Sequence, residues 1–382
     1  MKNFFYICSI ATPEFASLYK KDVLIGAAYK KVISIINSLQ SVGITANIIS
    51  IPPTGAHIKN NIIDKENKQV FIAGSKNKFF SRVRSSINLS KYVLNNIYPG
   101  DSVLFYNFRL SFLLCFIVCK IRNIKIVIDI EDYPLENKNL KEFINKIVLK
   151  IALNFSDNAI VASNSIARLA NLKNSYACYG AVNINKIYND PFNNEYVNFH
   201  YGGSIEKNTG LDLFCETIHA LNIKNLPKVL NFFVTGYGDF EKIKELSKEI
   251  TNENLNLIIM PNCSYSEFNK VFKKIDSSLA LKMPENEYAD STFPSKVLEI
   301  CSGGKLLIST NVSDIPLIFT NKITAVILNN ASADELSKAI LSVAHKTQKY
   351  KQIAEKGKFK VLENYNYTNV GKSLKQELFN EF

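Results

Sequence analysis

The chain has 382 residues, 47% hydrophobic and 21% charged, with 15 Gly and 11 Pro. That length exceeds one typical domain of ~100–200 residues, so two domains are expected, and the composition excludes a disordered, collagen-like or low-complexity protein. Residues 1–190 hold 24 Lys and Arg against 12 Asp and Glu, while residues 191–382 hold 22 of each, so the whole net charge of +12 lies in the first half and suits nucleic acid, an anionic membrane or a phosphorylated substrate.

Phe4–Ala11 after Lys2 has the length of a secretory core, but Thr12, Pro13 and Glu14 follow instead of a cleavage site. FFYICSI is therefore read as a buried first strand. Val23–Leu39 has helical spacing, ITANIISI is strand-like up to Pro52–Pro53, KQVFIAG is a short strand, and Phe79–Ile97 is helical. DSVLFYNF reads as a strand and Leu110–Cys119 as a buried helix. This longest apolar run stops at Lys120, short of the ~18 residues that span a bilayer. IKIVIDI has the continuous apolar character of a parallel strand covered on both faces, and a helix at Leu140–Phe155 and the strand NAIVAS follow.

An Asn-rich stretch, Asn183–Asn198, interrupts this alternation, which then restarts. NFHYGG, LNFFVTGYG, LNLIIM, DSSLALKM, KLLIST and AVILN are strands, with helices from Leu211, through Ile250, from Tyr265, at Lys296–Cys301 and from Ala333. The expected fold is α/β, with two Rossmann-like domains at residues 1–188 and 189–364. The polar helical segment 365–382 is expected to pack back on the first domain. Two such domains facing each other leave a central cleft at the carboxyl ends of their strands, where ligands bind.

Seven cysteines (8, 115, 119, 178, 215, 263, 301) show no paired CxxC spacing and are read as reduced, mostly buried thiols. Four histidines (57, 200, 219, 345) form no HxxxH spacing, and packing or surface roles are expected for His200 and His219. No metal site is expected.

The most informative stretch is DSTFPSKVLEICSGGKLLIST, residues 290–310. Pro294 suits the first turn of a helix, and the amides of Ser295 and Lys296 stand at its N-terminus, where free N–H groups and the dipole favour phosphate. Lys296 adds a cation, and Glu299, one turn on, is placed to accept hydrogen bonds from ligand hydroxyls. Gly303–Gly304 ends the helix. Alone, the same stretch is equally an ordinary capped helix with a surface Lys and Glu.

FPSKxxE followed by GG and a strand resembles the signature of glycosyltransferase family 4, retaining enzymes of the GT-B fold. The resemblance implies that Pro294 belongs to the donor loop, that Ser295 and Lys296 hold the diphosphate of a nucleotide sugar, and that Glu299 holds its ribose. Other pieces fall in the family's order. YGGSIEKNTG (201–210) resembles the phosphate loop, with Gly203 and Lys207 as donor contacts, and Gly236-Tyr237-Gly238 resembles the next glycine turn. Met260-Pro261-Asn262-Cys263 resembles the loop whose backbone meets the base, which implicates Asn262 and Cys263. Gly26 with Ala27–Ala28 resembles the N-terminal glycine loop facing the donor phosphates, and NAIVASNS and YGAVN resemble the segments closing the first domain.

Three positions depart from the family. Its second glutamate, eight residues before Glu299, is Ser291 here, with Asp290 and Glu287 as nearby carboxylates. The arginine after the first glycine of its phosphate loop is Gly203, which leaves Lys207 and Lys296 as the cations that assist the leaving diphosphate. Its His-Asp pair corresponds to Glu131-Asp132, which either cap the next helix or place one carboxylate in the cleft beside the acceptor.

The resemblance implies transfer of a sugar from a UDP- or GDP-linked donor to a growing, lipid-linked glycan in capsule or O-antigen assembly, without metal or other cofactor. Two rivals stand beside it: a sugar-nucleotide epimerase of the same fold and a non-catalytic GT-B partner subunit. The cluster Lys76, Lys78, Arg82 and Arg84 beside Phe79–Phe80 reads either as a solvated helix face with two core Phe or as an anionic-membrane contact. No nucleic-acid recognition motif accompanies it. A cytoplasmic protein, peripheral on the inner membrane face, is the expectation.

Overall fold

The computed structural model of the chain describes residues 3–10, 27–51, 58, 60–64, 69–74, 78–134, 140–184, 192, 195–286 and 289–379. It divides into two compact units, residues 1–181 with 366–382 and residues 182–365.

The first unit opens with β1 (Asn3–Cys8), α1 (Ala27–Ser41), β2 (Thr45–Ser50), β3 (Ile62–Asp64), β4 (Gln69–Phe71) and α2 (Lys78–Asn96). It continues with β5 (Ser102–Tyr106), α3 (Leu113–Ile121), β6 (Lys125–Ile130), α4 (Leu140–Phe155), β7 (Asn158–Val161), α5 (Asn164–Leu169) and β8 (Tyr176–Ala177). The sheet order is β3-β4-β2-β1-β5-β6-β7-β8, parallel except for β3, which pairs antiparallel with β4. β1, β5 and β6 sit at its centre, and their almost wholly buried side chains match the unbroken apolar runs of the sequence.

The second unit holds β9 (Tyr196–Ile205), α6 (Leu211–Asn222), β10 (Val229–Gly238), α7 (Phe240–Lys248), β11 (Leu255–Pro261), α8 (Tyr265–Lys274) and β12 (Ser277–Ala280). α9 (Lys296–Ser302), β13 (Leu306–Thr310), α10 (Ile315–Ile318), β14 (Val326–Leu328), α11 (Ala333–His345) and α12 (Thr347–Asn364) complete it. Its sheet is parallel in the order β11-β10-β9-β12-β13-β14. Polar caps set several helix starts: Asp239 accepts from the Lys242 amide, Ser264 forms a capping box with Glu267, and Ser332 accepts from the Glu335 amide. Stacked Tyr201–Phe214 and Phe199–Phe232 rings pin β9 to α6 and β10.

The last helix, α13 (Tyr367–Phe379), packs on α1 in the first unit. A Cβ on Gly371 would stand 2.1 Å from the Ser38 carbonyl oxygen, so the two helices meet backbone to backbone.

Several elements differ from expectation. Leu110–Cys119 is not a buried helix: residues 110–112 form a 3₁₀ turn, and Leu110, Leu114 and Ile117 are exposed while Phe112, Cys115, Phe116 and Cys119 are buried. The run is apolar on every side, but the sheet covers only one. Phe80 is 60% exposed and is not a core residue. Gly26, Lys76 and Glu287 lie outside the described residues, as do the side chains of Lys78 and Phe79. β3, α5, β8 and α10 are too short for a periodicity to show, and β9 begins inside the Asn-rich stretch.

Candidate functional site

In the second unit the strand order reverses between β9 and β12. Loops leaving the carboxyl ends of those two strands diverge and leave a crevice, the place where doubly wound sheets take ligands. Gly202 and Gly203 lie within the carboxyl-terminal part of β9 at this crevice, not in a loop after the strand as expected, and the FPSK helix follows β12.

Gly202 and Gly203 pair in parallel register with Thr235 and Gly236 of β10. Gly203 and Gly236 have φ of +106° and +124°. A Cβ on Gly236 would stand 1.9 Å from the Gly203 carbonyl oxygen, and one on Gly202 2.4 Å from His200 Nε2, whereas one on Gly203 would meet nothing within 4 Å. The strands therefore need glycine to lie together, and the Gly203 backbone faces open space that a phosphate could approach.

Lys296 crosses from the FPSK helix to this turn. Its Nζ donates to the Gly202 carbonyl oxygen at 2.9 Å. Burial pushes its pKa down to about 8. An ammonium has three N–H groups, and one of them is used here among the described residues. Beneath the turn, buried His200 meets Ser278 Oγ through Nδ1 (3.0 Å) and Thr235 Oγ1 through Nε2 (2.9 Å). Burial, and then the nearby Lys296 cation, push its pKa down to about 3, so it is a neutral strut. This agrees with its expected packing role.

The remaining donor-side residues divide. The Asn262 amide donates to the Gly236 carbonyl oxygen at 2.7 Å with φ of +51°, which folds the 262–264 loop against the turn. Cys263 is partly buried beside it, its thiol pushed up mainly by burial. Pro294, Ser295 and Glu299 are all partly buried around the start of α9; contrary to expectation, Pro294 precedes the N-cap residue Ser295, whose amide is not free but donates to the Phe293 carbonyl at 2.9 Å. Lys207 is 87% exposed, with its ammonium 4.0 Å from Asp212, a carboxylate that Lys242 also reaches. It is thus not drawn onto the turn as Lys296 is.

Ser291 is buried, and Asp290 is exposed. Lys282, which sequence reasoning missed, organises this loop: its ammonium donates to the carbonyls of Ala289 (3.0 Å) and Thr292 (3.1 Å) and to the Thr292 hydroxyl. A lysine just past the end of a buried strand was the available signal.

The first unit carries its own polar cluster. Lys31 of α1 forms a buried ion pair with Glu131 at 2.8 Å and donates to the Cys178 carbonyl. Burial, the largest single effect, would lower the Lys31 amine, but Glu131, Cys178 and Asp129 together outweigh it and the net shift is upward. Asp129 is fully buried and accepts from the Tyr6 hydroxyl, while its other oxygen meets no donor among the described residues. Burial, then Glu131, push its pKa up to about 7.

Asn107, with φ of +46°, accepts from the amides of Glu131 (2.8 Å) and Asp132 (3.4 Å). The loop is thereby held by Asn107, and α4 begins only at Leu140. Asp132 is exposed and lines a pocket of about 220 Å³ with Asn107, Arg109, Glu142 and Asn145. Among the described residues no group of three His, Cys, Asp or Glu side chains could hold a metal ion.

Residues 186–360, nearly all of the second unit, match the family model for glycosyl transferases group 1. Among solved structures, Anabaena Alr3699/HepE, crystallised in complex with UDP, superposes with a TM-score of 0.70 at 14% identity over 100% of both chains. Sucrose-phosphate synthase from Thermosynechococcus elongatus gives 0.72 at 13% over 98% of each chain. The fold is GT-B. The lipopolysaccharide outer core galactosyltransferase WaaB shares the GT-B fold with this chain at a TM-score of 0.68 and 15% identity over 100% of both chains. No curated protein matches the sequence.

Proposed function

We propose that the chain is a retaining glycosyltransferase of family 4 type, moving a hexosyl group from a UDP- or GDP-linked donor to a growing, lipid-linked glycan in capsule or O-antigen type assembly. The observation that carries this reading is Lys296 bound to the Gly202 carbonyl across the strand-order reversal, beside the bare backbone of Gly203. Breaking the bond between the anomeric carbon and the diphosphate leaves negative charge on the diphosphate. Lys296 and the backbone amides at the glycines stabilise that charge in place of a metal ion, with Lys207 as an exposed outer cation. Glu299 takes the ribose hydroxyls, and the 262–263 loop takes the base through its backbone. In the first unit Glu131 is engaged by Lys31, so Asp132 is assigned to the acceptor hydroxyl. The complex of HepE with UDP supports the choice of donor class.

The test incubates the purified chain with a panel of UDP- and GDP-sugars and lipid-linked acceptors, following nucleotide release and acceptor mass. Saturable donor binding and acceptor glycosylation are expected. Interconversion of nucleotide sugars without acceptor would point to an epimerase, and absence of donor binding would make the chain a non-catalytic subunit.

A further inference from the structure

Fourteen of the twenty-four exposed large apolar side chains among the described residues fall within residues 80–155. They are not scattered. The exposed residues Leu110, Leu114, Ile117 and Ile121 follow steps of four, three and four along the 3₁₀ turn and α3. On α4, Phe143, Ile147, Ile151 and Phe155 recur every four residues, and on α2 Phe80, Val83, Ile87 and Leu94 keep steps of three, four and seven. Each series is one stripe of a helix. Each helix also has separate buried residues, such as Cys115 and Cys119 on α3, Val148 and Ala152 on α4, and Leu89 and Val93 on α2. These helices are therefore apolar on two sides, and the sheet accounts for one.

The stripes belong to one surface. β5, β6 and β7 succeed one another in one direction from β1, and right-handed crossovers place the connecting helices on the same face. α2 packs against α3, and residues 110–112 touch both α2 and α4. The Arg122 guanidinium joins the far ends of α2 and α3 by donating to the Leu94 carbonyl and lying 5.6 Å from the Tyr98 ring. A soluble monomer rarely leaves an apolar patch above roughly 300–600 Å² uncovered.

Charge decides what covers it. α2, α3 and α4 carry eight Lys and Arg and one acid, Glu142. Arg82, Arg84, Lys141 and Lys150 are exposed beside the stripes. A second copy docked by a two-fold axis would set like charge against like. An anionic bilayer offers opposite charge to the cations and an apolar interior to the stripes. We propose that the face of α2, α3 and α4 seats the first unit on an anionic membrane surface, with the apolar stripes of α3 and α4 entering the interface. The basic residues at the start of α2 form one edge of this seat. Docking requires no sugar transfer, so a lipid measurement separates it from the donor reading.

The experiment floats the full chain with vesicles of phosphatidylcholine alone and with 30% phosphatidylglycerol, at low and high salt. One variant combines Ile117→Ser, Ile121→Ser, Ile147→Ser and Ile151→Ser, and the other combines Arg82→Ser, Arg84→Ser, Lys141→Ser and Lys150→Ser. The wild type is expected on anionic vesicles, with at least about tenfold less on neutral ones. Each variant should lose about tenfold or more, and the cation variant should also lose its salt dependence. All three proteins should keep the same melting temperature and nucleotide affinity, since the substituted side chains are exposed and outside the second unit. Equal wild-type binding to both vesicle types, or undiminished binding by the isoleucine variant, overturns the proposal. So does a wild-type dimer that becomes monomeric in the isoleucine variant without vesicle binding by either protein, because the face is then a self-interface.

Discussion

In sequence, Lys296 is a cation in the first turn of a short helix; in the fold it is a partly buried ammonium tied to the backbone of a strand. Its pKa of about 8 has a consequence for ligand binding. A bound diphosphate favours the charged form, so binding above pH 8 must take up a proton. Nucleotide affinity is expected to fall by up to about tenfold per pH unit from pH 8 upward, measured by calorimetry in buffers of different ionisation enthalpy. Lys296→Met should bind weakly at every pH and lose this dependence. Stability should move the opposite way. The folded pKa lies below the ordinary lysine value, so holding the charge costs stability fully below pH 8, and the cost fades as pH rises toward 10.5. Lys296→Met should therefore melt higher than wild type at pH 7, with the gap closing at pH 10. A variant that melts lower at pH 7 while keeping its nucleotide affinity would remove Lys296 from the site.

At the scale of elements, the second unit brings β9 and β10 together at their carboxyl ends without side chains, and the first brings α13 onto α1 in the same way. Gly371 is the clearest case, because its missing Cβ is what lets α13 approach Ser38. Gly371→Ala must push the helices apart or shift α13 along its axis, at a cost of about 1–3 kcal/mol, as for overpacked cores. The expected outcome is a lower melting temperature and faster proteolysis within residues 367–379, with nucleotide affinity in the second unit unchanged. Unchanged proteolysis would mean that the contact adapts without strain. The two-sided helices α2, α3 and α4 pose the opposite problem, since each keeps an exposed apolar stripe beside its buried one.

Across the whole molecule, the two units are wired differently. The second is one continuous stretch, residues 182–365, whereas the first is completed by α13 from the far end of the chain. The core of the second unit runs from Val197 to Ala354 without leaving that stretch. A fragment of residues 182–365 is expected to unfold cooperatively and to bind UDP or GDP close to full-chain affinity, if the donor contacts lie where proposed. A fragment of residues 1–181 uncovers the face of α1 that α13 occupies, and should be less stable than the same fragment co-expressed with residues 366–382. Thermal melts and calorimetry on the three preparations check this. Failure of the second-unit fragment to fold would show that its stability depends on the first.

Alternation of apolar runs and helical spacing was enough to read the α/β class and most of the longer strands and helices, because burial on two faces leaves an unbroken apolar strand. The glycine turn at 202–203 and the FPSK helix were likewise legible, since glycine and proline mark backbone geometry that few other residues allow. What the sequence could not contain was adjacency. Residues 94 apart meet when Lys296 reaches Gly202, because the strand order, not the chain, makes β9 and β12 neighbours. Lys282 and Asn107 carry no such mark, because their partners are backbone groups, further along its own loop for Lys282 and on another loop for Asn107. Leu110–Cys119 differs from its expected burial for a related reason: an apolar residue reads the same whether a sheet covers it or not. Local spacing determines which element forms, and only the packed sheets decide which face is buried and which side chains converge on a crevice.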